Sequence, residues 1–253
     1  MLVAVAAMGS MPAVPSSRPV IGIYPTVGRG SGYYKAYSLW LEQAGADSFV
    51  TRAFMDDKEL EATFQSMNGF LIPGGGDPFG ETVDRLVSRA VAANLANDFF
   101  PVWGTCLGFE WLVDHFAKNR SAIGPGFGSE DLPLPLSFKS EAASSRTYSH
   151  TNSTMLRWLS SEPITYNAHR KGIEPAAFSS TPALAQEFNV LATGADRNGR
   201  GFIAQIEHKT LPVYASRAVR SHSRPRTLTI ILTAVASPAL STQVRQPVPS
   251  RED

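Results

Sequence analysis

Short apolar runs alternate with longer amphipathic stretches from Arg18 to about Phe116. Pro19–Tyr24 (PVIGIY) reads as a buried strand, and the apolar positions from Tyr33 to Ala44 follow helical spacing, with Gly45 as the stop. Ser48–Thr51 reads as a second strand, and Asp56 caps a helix predicted to run to about Met67. A third strand, Gly69–Ile72, enters the tight loop Pro73–Pro78. Val83, Leu86, Val87, Ala90, Val91 and Leu95 recur at the period of a helix. Phe99–Trp103 is a fourth strand, and a further helix starts at or just after Cys106.

Such alternation, with short connections, predicts an α/β domain: a parallel sheet covered by helices on both faces. Sites in sheets of this kind lie at the carboxyl ends of the strands, where both glycine-rich loops fall, Pro73–Pro78 and Gly104–Gly108. The second half is less regular. Leu132–Lys139, Arg146–Ser149, Ile164–Asn167, Phe188–Thr193 and Phe202–Ile206 read as strands, Asp196–Gly199 as a turn, and Leu211–Tyr214 as one more strand. From Ala215 to Asp253 the chain is rich in Ser, Pro, Arg and Thr, and only Leu228–Val235 is apolar; it reads as a disordered tail. The predicted organisation is therefore a segment 1–17, a domain 18–214 and a tail 215–253.

Charge and composition narrow the classes. A net charge of +1 gives no reason to expect nucleic acid or an anionic membrane as partner, and 18% charged with 43% apolar residues suits a soluble globular domain. No run of the sequence is long enough to span a bilayer. Met1–Ala7 (MLVAVAA) fits either the apolar region of a secretory signal, without its basic start, or a frayed chain start. Asn119-Arg120-Ser121 and Asn152-Ser153-Thr154 are glycosylation triplets, which arise by chance about once in a chain of this length. The single cysteine excludes an intrachain disulfide and a cysteine-rich metal site.

That cysteine lies in Gly104-Thr105-Cys106-Leu107-Gly108, a G-x-C-x-G between an apolar strand and a helix. The pattern is a nucleophile elbow in its cysteine form: a sharp turn exposes the thiol, and the flanking glycines admit close neighbours. A helix N-terminus behind the sulfur favours thiolate. The Leu107 N–H and a donor from Gly75 or Gly76 would receive an oxyanion. A buried structural cysteine is the competing reading, since unpaired cysteines are often buried. The placement after a strand and beside a PGGG loop favours catalysis.

Phe100–Glu110 (FPVWGTCLGFE) resembles the nucleophile segment of the gamma-glutamyl hydrolases, within the class I glutamine amidotransferase-like superfamily. Gly69–Gly75 resembles that family's oxyanion strand, and Asn167-Ala168-His169 its N-x-H substrate segment; Arg18–Pro25 and Phe188–Tyr214 also fit. The resemblance implies a three-layer α/β/α, flavodoxin-like core with extra β-hairpins. It further implies a cysteine omega peptidase acting on gamma-glutamyl bonds, notably folate polyglutamates, without metal or organic cofactor. His169 and Asn167 would contact substrate, the protein would be secreted or held in lysosomes or vacuoles, and the resemblance leaves a homodimer open.

A cysteine hydrolase needs a base that later protonates the leaving amine. His115 falls on the helix after the cysteine, His150 in a loop, His208 at a turn. The resemblance places the catalytic histidine after Leu211–Tyr214, in V-Y-G-x-x-x-H-P-E. Val219 stands at that position here, no His-Pro-Glu follows, and His222 is three residues late with Ser223 and Arg224 behind it. An altered reading frame, a retained intron or alternative splicing accounts for so abrupt a break better than gradual divergence. A glutaminase of the amidotransferase type and a non-catalytic gamma-glutamyl-binding product stand as alternatives.

Overall fold

A computed structural model of the protein describes residues 18–26, 31–118 and 122–218. An eight-stranded sheet has the order β2-β1-β3-β4-β10-β9-β8-β6, with β1 Val20–Ile23, β2 Asp47–Val50, β3 Gly69–Ile72, β4 Val102–Thr105, β6 Ser137–Phe138, β8 Phe188–Ala195, β9 Gly201–His208 and β10 Val213–Ser216. The pairs among β2, β1, β3, β4 and β10 are parallel, and those among β10, β9, β8 and β6 antiparallel. β5 (Gly124–Leu134) and β7 (Thr165–Gly172) form a separate antiparallel pair.

Alternation of side chains builds the three layers. Phe70, Ile72, Val102, Val213 and Ala215 face the core under α2 (Asp57–Gln65), α3 (Glu81–Leu95), α4 (Leu107–Ala117), α6 (Pro175–Ser179) and α7 (Pro182–Glu187). Their neighbours Leu71, Trp103 and Tyr214 face the other way, onto α1 (Ser31–Gln43). α5 (Ser153–Ser161) and β5 close a third cluster over β8 and β9. The α/β/α class and the β8–β9 hairpin are as expected, with Gly199 at φ 79° in its turn.

Local chemistry explains where the elements begin and end. Gly45, at φ 86°, ends α1 in a conformation that costs a side chain strain. Asp56 and Glu59 form a reciprocal capping box at the start of α2. The Asn152 side chain, the second candidate glycosylation site, accepts from Met155 N at 2.9 Å and caps α5.

Three expectations are corrected. Arg146–Ser149 is a turn rather than a strand, because the Glu207 carboxylate on β9 binds the Arg146 and Thr147 amides and takes the place of a ladder. The strand expected over Leu132–Lys139 is divided between β5, which starts at Gly124, and the two residues of β6. The tail expected from Ala215 does not begin there: β10 continues through Ser216, and Ala215, Ser216, Arg217 and Ala218 are all buried. Parallel pairing with β4 carries them, aligning Ala215 with Gly104 and Ser216 with Thr105. Leu228–Val235, Val219, His222 and residues 1–17 lie outside the described residues.

Candidate active site

β4 ends in the elbow. Cys106 has φ 54° and ψ −98°, a left-handed turn rare for a residue with a side chain, and α4 starts at the next residue. The glycines on either side make the turn fit. A Cβ on Gly104 would come within 2.6 Å of the Gly108 carbonyl carbon, and one on Gly108 within 2.9 Å of that of Ile72. No side chain is compatible with either approach, so helix, elbow and β3 meet backbone to backbone.

The PGGG loop lies against this turn. Gly108 N donates to Pro73 O at 3.2 Å, and a Cβ on Gly75 would touch Leu107 Cδ2 at 3.0 Å. α1 pins the loop from the far side: Tyr33 Oη donates to Gly74 O at 2.6 Å, and Gly74 N donates to Tyr37 Oη at 3.2 Å. Gly75 and the Leu107 side chain are thus neighbours, and Gly76 faces open space. A cavity of about 490 Å³ opens near the end of β1, lined by Tyr24, Phe54, Met55, Glu59, Gly80 and Arg85 among others, with Cys106 outside its lining.

Asn167 and His169 sit on β7. Asn167 Nδ2 donates to the Leu132 and Thr165 carbonyls at 3.2 and 3.1 Å, so both its protons serve the β5–β7 pair rather than an open cleft. His169 is 4% exposed and lies opposite Ser129, between the rings of Phe127 and Phe202. Its Nδ1 is 2.8 Å from Lys171 O. A carbonyl only accepts, so Nδ1 carries the proton and Nε2 presents a lone pair, without a hydrogen-bond partner among the described residues. Burial, then the charge of Arg217, push the imidazole down to about 3. It is neutral across the physiological range.

Arg217, assigned from sequence to the tail, is completely buried beside the elbow. Nη1 donates to Cys106 O at 2.8 Å and to Glu110 Oε1 at 2.9 Å, and Nη2 donates to Lys171 O at 2.7 Å. No local pattern announces this contact, since Arg217 and Glu110 are 107 positions apart. His115 Nδ1 pairs with Asp84 at 2.6 Å, His208 Nδ1 accepts from Leu211 N at 3.0 Å, and His150 is exposed. Among the described residues there is no cluster of three or more His, Cys, Asp or Glu able to hold a metal ion, and no helix long and apolar enough to cross a membrane.

The gamma-glutamyl hydrolase B of Dictyostelium discoideum is 35% identical over 214 residues, 79% of this chain and 61% of that protein. The mouse gamma-glutamyl hydrolase is 33% identical over 212 residues, 79% of this chain and 66% of its own. The chain is a member of the gamma-glutamyl hydrolase family. It spans somewhat under two thirds of the length of these two relatives. No family model matches it. Among solved structures, a GMP synthase component from Thermoplasma acidophilum superposes with a TM-score of 0.54 at 16% identity, over 88% of this chain and 94% of that one. A glutamine amidotransferase from Thermotoga maritima gives 0.50 at 8% identity, over 90% and 100%. At these identities the likeness concerns the fold, that of the class I glutamine amidotransferases.

Proposed function

We propose that this site performs acyl transfer on gamma-glutamyl bonds, with Cys106 as nucleophile and folate polyglutamates as the substrate class. The observation that carries the reading is the backbone of Cys106, turned to φ 54° between β4 and α4, in a chain whose relatives are named for this hydrolysis. The thiolate attacks the γ-carbonyl carbon, and the Leu107 N–H with a Gly75 or Gly76 N–H receives the developing oxyanion. The C–N bond then breaks, the leaving amine takes a proton, and a thioester remains. Water attacks the thioester, the C–S bond breaks, and the glutamyl acid is released with the sulfur restored.

The proton for the amine is the weak point. Val219 stands at the position where the family resemblance places a histidine. His169 does not replace it: burial and the charge of Arg217 hold its imidazole down to about 3, too low for Nε2 to gain the proton it would have to hand on. Thiolate attack suffers less than departure, because sulfur is nucleophilic without a base. Turnover is expected to lie on the order of 10³ below that of a chain with the histidine.

Glutamate release from folate pentaglutamate tests the reading. The comparison sets this chain beside Cys106→Ala and beside a chimera whose residues from Ala215 carry a G-x-x-x-H-P-E ending. The chimera should be faster on the order of 10³, and Cys106→Ala within it should be silent. Equal turnover by chain and chimera overturns the role given to the missing histidine; turnover surviving Cys106→Ala overturns the nucleophile. Ammonia release from free glutamine without pentaglutamate cleavage would favour a glutaminase.

A further inference from the structure

We propose that Arg217 is a positioning residue for Cys106, clamping the elbow to β7 and setting the charge beside the sulfur. The proposal rests on the reading of Cys106 as nucleophile. A buried guanidinium is costly unless its donors are matched, and an apolar side chain would fill the site without that cost. Here Nη1 and Nη2 reach three separate places, the Cys106 carbonyl, Glu110 on α4 and the Lys171 carbonyl on β7, while Nε is buried without a hydrogen-bond partner among the described residues.

The first of these contacts holds the strained residue. A left-handed non-glycine backbone persists only where its surroundings over-determine it. Cys106 N donates to Ser216 O at 2.8 Å, and Cys106 O receives Arg217 Nη1 as well as Glu110 N. Both peptide groups of the elbow are therefore held from the end of β10. The third contact reaches His169, because Lys171 O accepts from both Arg217 Nη2 and His169 Nδ1. One side chain thus fixes the carbonyl of the nucleophile and the carbonyl that sets the histidine tautomer.

The charge follows from the same geometry. Arg217 brings a cation to the residue bearing the thiol, and Glu110 at 2.9 Å offsets part of it. The elements packed here also carry the neutral His169, Tyr166, Arg170 and Lys171 on β7, Asp114 and His115 on α4, Tyr214 on β10 and Asp77 in the loop after β3. Removing the cation should disfavour thiolate, and removing its counter-ion should favour it.

The chain has one cysteine, so iodoacetamide labelling of the full chain reads this thiol alone. Labelling rates from pH 5 to 9 give its titration in the parent, Arg217→Gln, Arg217→Lys and Glu110→Gln. Arg217→Gln should move the profile to alkaline pH and lower the rate at pH 6 about tenfold. Arg217→Lys should keep the profile nearly in place while losing thermal stability, since it retains charge without the three-way fork. Glu110→Gln should move the profile to acid pH. If Arg217→Gln does not fold, the sign of the Glu110→Gln shift decides. A role in folding alone lowers Tm and leaves the profiles unmoved, which would overturn the proposal. A parent thiol no more reactive than glutathione at pH 6 overturns the nucleophile reading, and the positioning role with it.

Discussion

Cys106 carries a backbone cost and a side chain that variants can separate. At φ 54°, ψ −98° a left-handed residue costs on the order of 1–3 kcal/mol, which alanine keeps and glycine relieves. Cys106→Gly should therefore unfold above Cys106→Ala by about 1 kcal/mol, the reverse of the usual order at buried sites. Denaturant titration of the two variants checks this, and a more stable alanine variant would mean the turn is not strained. His169 gives a pH signature. Its imidazole titrates at about 3 when folded against an ordinary 6.5, chiefly because it is buried and secondly because Arg217 faces it. Between those values the unfolded chain binds more protons. The stability of neutral His169 is thus present above pH 6.5 and lost as pH falls toward about 3. Tm measured across that window should fall less steeply with acid in His169→Gln; parallel curves would show that His169 does not titrate there.

At the scale of elements, the elbow depends on two glycines and α2 on its first turn. Gly108→Ala sets a methyl against the Ile72 carbonyl and should cost about 3 kcal/mol or prevent folding, with the loss read from chemical denaturation. Full stability in this variant would mean that α4 can withdraw from β3. Asp56→Ala removes the acceptor for Glu59 N, 2.8 Å away, and should cost about 1 kcal/mol without touching Cys106 reactivity. These elements were legible because their signals are local: an Asp at a helix start, a glycine after a periodic run, the continuous apolar run Gly69–Ile72. Arg146–Ser149 was misread because its amides bind a carboxylate from a distant strand, a partner no local window contains.

Over the whole molecule, Glu207 joins the irregular second half to the sheet. Its carboxylate is buried and accepts from Thr147 N at 2.8 Å, Thr147 Oγ1 at 2.6 Å and Arg146 N at 3.1 Å. Arg146 in turn reaches the carbonyls of His208, Thr210 and Leu211 and covers the Tyr214 ring. Glu207→Ala would leave these donors unmatched and should cost about 3–5 kcal/mol. A loss under about 1 kcal/mol, the range of a surface pair, would show that solvent replaces the carboxylate.

By itself the sequence determined the α/β class, the order of the first strands and helices, the glycine loops at the strand ends and the place of Cys106. Each of these rests on the period of apolar positions or on steric demands a few residues wide. The tertiary structure decided the rest. It turned the Asn167 amide onto the sheet, fixed the tautomer of His169 through a carbonyl, and drew Arg217 into the elbow although its neighbours in sequence read as a tail. Such assignments depend on which donors and acceptors remain unmatched once strands have paired, and that is settled only when distant segments meet.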